Sequence, residues 1–129
     1  MPLWFEKMQR IRAGQEIKLK ELQYIMVKYV QILTAVSSKK EAQRIANLLI
    51  ENNLAACVQI LGPIESVYKW KGKKEKAEEF LCLIKSLNSK SKLIIKEIKS
   101  LHSYEVPEII VTPIIGGNPD YFKWMEKEE

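Results

Sequence analysis

The chain of 129 residues is poor in the side chains that hold metals and build disulfides, with one histidine and two cysteines. Cys57 and Cys82 form neither a disulfide framework nor a CxxC pair. Each lies in an apolar stretch, where a free cysteine behaves as a small buried hydrophobe. No apolar run approaches the roughly 20 residues of a membrane-spanning helix. Residues 1–25 carry Glu6, Glu16 and Glu21 and no continuous apolar stretch, so they do not read as a secretory signal. A cytoplasmic protein without a membrane partner is the expectation. Outside residues 1–25 the only arginine is Arg44, so an arginine-bearing phosphate loop is missing. Nor does any nucleophile pair with a base, and an enzyme is not expected.

What is present describes a single domain. Hydrophobic residues make up 47% and charged residues 29%, a globular composition. Ala42, Ile45, Ala46 and Leu49 recur at the spacing of a helix with one buried face. Ser38 and Glu41 form a capping box at its start, and Asn52-Asn53 is its stop. A second helix follows Asn88-Ser89, with Ile94, Ile95, Ile98 and Leu101 as its apolar stripe and His102 at its end. Strands are predicted at 26–34, 54–71, 80–87 and 108–115. The order gives an α+β fold, a ferredoxin-like βαββαβ sandwich with a long β2–β3 hairpin. Gly116 to Pro119 turns the chain into a short C-terminal helix with Tyr121, Trp124 and Met125 on its apolar edge. Pro113 places the last strand at a sheet edge or a bulge. Residues 26–129 are read as this domain and residues 1–25 as an N-terminal extension of unknown role. In the extension Trp4, Met8 and Ile11 make one apolar stripe before Gly14.

Two features predict self-association. A ferredoxin-like sheet carries helices on one face, yet its strands are apolar on both. Val27, Tyr29 and Leu33 oppose Val30 and Ile32, and Leu81 and Leu83 oppose Phe80, Cys82 and Ile84, so the second face needs a cover. The long second strand, even kinked at Gly62-Pro63, also projects past a core whose radius of gyration is about 13–14 Å. Tyr68, Trp70 and Trp124 are the expected interface anchors, because large amphipathic aromatics concentrate at interfaces. The net charge of +5 owes much to Lys69, Lys71, Lys73, Lys74 and Lys76, a cluster that reads either as a phosphate-steering patch or as a solvated hairpin tip, the second being the commoner use of a charge run. An RNA-binding reading fails on the third strand: Glu79 to Ile84 lacks the exposed aromatics that stack bases. No nucleic-acid partner is expected.

Four separate motifs then carry a resemblance. Leu54-Ala55-Ala56-Cys57-Val58, Ser66 through Lys73, Glu79 with Ile84-Lys85, and His102 through Ile109, closing with Tyr121 and Trp124, resemble the CutA divalent-cation tolerance family over about residues 27–127. The resemblance implies a PII-like homotrimer with hairpins wrapping adjacent subunits, and a role in response to divalent metal ions, copper in particular. It implies copper or another divalent ion as the only cofactor, with His102 and Cys57 as candidate ligands. Family members for which copper ligation is proposed carry a Cys and a second His where this chain has Leu33 and Leu101. The family's Pro after the shared His is Ser103 here. Glu79, Lys85, His102, Tyr104 and Glu108 resemble the family's polar cleft, where metal or a small ligand would bind between subunits. The alternative is a signalling or structural trimer of PII-like architecture that binds an unidentified small molecule and has no metal role.

Overall fold

The computed structural model describes residues 2–12, 19, 22 and 26–129. Among them, strands β1 (Tyr29–Val36), β2 (Cys57–Trp70), β3 (Lys73–Leu87) and β4 (Ile109–Ile114) form one antiparallel sheet in the order β2-β3-β1-β4. The helices described in full are α1 (Leu3–Arg12), α2 (Lys39–Glu51), α3 (Ser91–Leu101) and α4 (Pro119–Glu128). The expected α+β order of elements is the observed one. In α1, Trp4 and Met8 are exposed, while the side chain of Ile11 and all of Gly14 lie outside the described residues.

Local chemistry accounts for the boundaries. Ser38 Oγ accepts the Glu41 N–H at 3.1 Å and starts α2, and Asn53 (φ 55°) takes the chain out of it. The second strand starts at Cys57 rather than Leu54, because the Leu54 and Ala55 N–H groups both donate to the Leu49 carbonyl and close the helix end. The third strand is much longer than its sequence suggests. It begins at Lys73 instead of Phe80, since Lys73–Glu79 pairs residue by residue with Ile64–Trp70. Lys71 and Gly72 join the two strands with positive φ at both positions, the geometry of a two-residue hairpin turn. Pro113 sits on β4, an edge strand, as expected.

Between Leu61 and Ile64 the ladder slips, at a cis Gly62-Pro63 bond. A Cβ on Gly62 would lie 2.6 Å from the Phe80 ring, so only glycine lets the two strands approach there. Beyond Phe80 the hairpin pairs with no other strand among the described residues. At about 3.3 Å per residue it projects as an arm of roughly 20 Å.

The sheet has two unlike faces. Val30, Ile32, Val36, Cys82 and Ile84 turn toward Ile45, Leu49, Ile94 and Ile98 and form a core that excludes water. The opposite face carries Leu33, Leu61, Leu81, Leu83 and Ile110. Among the described residues α4 covers its Tyr29–Leu87 end: Tyr29 stacks on Phe122 (centroids 4.4 Å apart) and the Leu87 N–H donates to Glu129. Leu61 and Ile110 remain about half exposed, at 55% and 48%.

Candidate functional site

At the other end of this open face lies a groove of about 880 Å³. The arm forms one wall with Tyr68, Trp70 and Glu75, the sheet the floor with Ala35, Glu79 and Leu81, and the 103–108 loop the second wall. Antiparallel register puts Glu79 on the open face beside Ile64, at the root of the arm. Its residue surface is 8% exposed, and its Oε2 accepts the Tyr104 hydroxyl at 2.9 Å. Burial, then the Glu79 carboxylate, pushes the Tyr104 phenol far above its ordinary range. Tyr104 is therefore a fixed hydrogen donor at every physiological pH.

His102 holds the loop from behind. Its Nε2 lies 2.8 Å from the Ala35 carbonyl and its Nδ1 is 3.1 Å from the Tyr104 N–H. A carbonyl only accepts and an amide only donates, so the neutral ring carries its proton on Nε2 and both nitrogens are engaged. Glu41 Oε1 lies 3.9 Å from Nδ1. The same carboxylate receives the Ser103 N–H (2.9 Å), the Ser103 hydroxyl (3.1 Å) and the Ser37 hydroxyl (3.1 Å). Burial raises the Glu41 pKa, but these hydrogen bonds outweigh it and the net shift is downward. Ser103 thus pins the turn through an N–H that proline would lack.

Of the residues expected in the cleft, Glu79, Tyr104 and Glu108 line one groove and His102 buttresses it. Lys85 does not join them within the chain. It lies six residues along β3 from Glu79, roughly 20 Å away at about 3.3 Å per residue, and donates to Gln59 Oε1 at 2.5 Å. Cys57 pairs in register with Lys85 at that same distant end, beside Tyr121, whose phenol is raised by burial and by Cys57. His102 and Cys57 therefore sit at opposite ends of the sheet and share no site in one chain. Among the described residues no three His, Cys, Asp or Glu side chains are grouped to hold a metal ion. Cys82 is fully buried, and burial with nearby Glu41 pushes its thiol up to about 11, leaving it inert. Tyr68, Trp70 and Trp124 are exposed at 44%, 42% and 42%.

Sequence reasoning misses three carboxylates of this region. Glu75 and Glu105 line the groove, and Glu41 clamps its loop. The capping box marks Glu41, but its partner Ser103 is 62 residues away and only the folded topology joins them.

Known proteins share this architecture. The family whose sequence model matches is described as CutA1 divalent ion tolerance protein, over residues 30–128. The divalent-cation tolerance protein CutA of Pectobacterium atrosepticum is 42% identical over 96 residues, 74% of this chain and 87% of that protein. The solved divalent cation tolerance protein (Cut A1) of Thermus thermophilus superposes with a TM-score of 0.75 at 36% identity, covering 78% of this chain and 97% of that one. The solved periplasmic divalent cation tolerance protein CutA of Archaeoglobus fulgidus gives a TM-score of 0.75 at 38% identity, with 78% and 97% covered. The chain belongs to the CutA1 divalent ion tolerance protein family.

Proposed function

We propose that this chain works as a homotrimer in divalent metal ion tolerance, copper included, as a binding protein and not an enzyme. Its ligand site is the groove of Glu79, Tyr104 and Glu108, closed by a neighbouring copy. The observation that supports this reading is that the groove is half built. Arm and loop supply two walls, while the exposed apolar strip beside it, with Leu61 and Ile110, has no cover among the described residues. A second copy is the economical cover for such a face. Tyr68, Trp70 and Trp124 then serve as anchors. In this reading residues 1–25 are an extension outside the unit, which a family match beginning at residue 30 supports.

A resident copper ion does not fit the residues of one chain. Both His102 nitrogens are engaged, and Cys57 is at the far end of the sheet. Copper(II) wants several N or O donors together. This favours the second reading, a PII-like trimer whose groove binds a small molecule and has no direct metal role. The cytoplasmic location rests on the sequence alone. No helix among the described residues is long and apolar enough to cross a membrane, and one relative is titled periplasmic.

The test is rescue of growth. A bacterial strain lacking its own CutA should regain copper tolerance with this chain. The double substitution Glu79→Gln with Tyr104→Phe should not restore it at equal protein level. Equal rescue by both would remove the groove from the function.

A further inference from the structure

We infer that one face of the arm docks on the same face of a second copy, arm against arm and antiparallel. The register fixes what that face carries. It continues the Phe80, Cys82 and Ile84 side of the sheet and holds three cross-strand pairs: Glu65 with Glu78, Val67 with Lys76, and Lys69 with Lys74. Tyr68, Trp70 and Glu75, which line the groove, alternate to the opposite face. All six residues of the three pairs are exposed, and Val67 alone of them also borders the groove.

A hairpin gains when opposite charges face each other across its strands and loses when like charges do. This one keeps two glutamates opposite each other at the root and two lysines opposite each other toward the tip, the less stable arrangement within one arm. Lys76 reaches diagonally to Glu65 at 3.6 Å. Among the described residues Lys69, Lys74 and Glu78 have no oppositely charged group within 4.0 Å.

What costs one arm suits two. The acidic pair lies one step to the root side of Val67 and the lysine pair one step to the tip side, each about 6.8 Å away along the strands. A two-fold axis through the Val67–Lys76 pair therefore sets Glu65 and Glu78 of each arm against Lys69 and Lys74 of the other. It also brings together the two Val67 side chains, each 56% exposed in the single chain, while Lys76 leans toward Glu65 and off the axis. Such a contact uses one patch on both copies and closes on itself. Three pairs a side fall well short of the roughly 1,200 Å² of a stable interface, so the contact is weak and salt-sensitive. The arm offers it whatever unit the rest of the chain forms, and it does not rest on the proposed trimer.

The experiment is sedimentation velocity of the full chain at submillimolar concentration, in low and in high salt. The expected result is a doubling of the unit present at micromolar concentration, to about 90 kDa for six chains of 15.0 kDa, reversed by high salt. Glu65→Lys with Glu78→Lys makes the face basic at both ends, and Lys69→Glu with Lys74→Glu makes it acidic at both ends. Each double variant alone should lose the doubling. An equimolar mixture of the two should regain it, at least tenfold tighter than either alone. The micromolar unit should be unchanged in both, which separates a lost contact from a lost fold. Where a double variant fails that check, the single substitutions Glu78→Lys and Lys74→Glu take its place in the same mixture. Absence of doubling in the unaltered chain at low salt overturns the inference and leaves the trimer standing. So does doubling that both variants retain, because another surface then carries it. A 15.0 kDa monomer that doubles with the same salt and charge dependence supports the inference and removes the trimer.

Discussion

The two faces of one sheet differ in how their apolar residues are used. On the helix side Ile32, Val36, Cys82 and Ile84 alternate inward and lose all contact with water. On the other side Leu61 and Ile110 are no less apolar, yet stay about half exposed. The first face is satisfied by contacts that α2 and α3 supply from the same chain. Among the described residues the second is satisfied only at the Tyr29–Leu87 end, where α4 lies. The difference between the faces is the observation on which the proposed assembly rests.

Breaking that comparison should give effects of decreasing size. Trp70→Ala removes the proposed arm anchor and should cost assembly about 3–5 kcal/mol, read as a shift of the dissociation midpoint in sedimentation. Lys73→Ala, next to it across the hairpin, should change assembly by less than about 0.5 kcal/mol. Equal effects would mean the arm does not dock. Ile84→Ala empties the helix-side core and should cost about 2–4 kcal/mol in denaturant unfolding, in assembled and dissociated protein alike. An Ile84→Ala effect seen only in the assembled form would erase the distinction between the faces.

Legibility in the sequence follows the same division. The α2 stripe, its Ser38 cap and the stop at Asn52-Asn53 are readable because they are local and periodic. The first half of β3 is not. Lys73 to Glu79 is almost all charge and becomes a strand because the Ile64–Trp70 segment pairs with it, with both faces of the arm near solvent. The groove's polar members are legible through the family motif, and Glu79, Tyr104 and Glu108 do share one groove. Lys85 joins them by motif alone, as Cys57 joins His102, and a flat run of residues does not say that six strand positions separate Lys85 from Glu79. Glu41 is legible as a cap and illegible as the clamp on Ser103, since that contact spans the fold.

The clamp yields a smaller, pH-dependent effect. The folded-state pKa of Glu41 lies below its ordinary 4.5. Its contribution is thus complete above that value and is lost as pH falls through the depressed folded value. Glu41→Gln should cost about 1–2 kcal/mol at pH 7 and progressively less in acid, when both proteins are unfolded across pH 2–7. A constant difference at every pH would show that the charge is not what holds the loop. The smallest effect is expected from copper(II). Micromolar protein should show no stoichiometric binding in calorimetry, and His102→Ala should barely alter the trace, because the imidazole is already spent on Ala35 and Tyr104. Tight binding abolished by His102→Ala would reverse that view of the ring.

Sedimentation equilibrium of the full chain at micromolar concentration tests most directly whether copies of the chain cover the open face. A single species of about 45 kDa, three chains of 15.0 kDa, is the expected result, and it should dissociate in Trp70→Ala but not in Lys73→Ala. A folded, stable 15.0 kDa monomer with the same exposed Leu61 and Ile110 would contradict it.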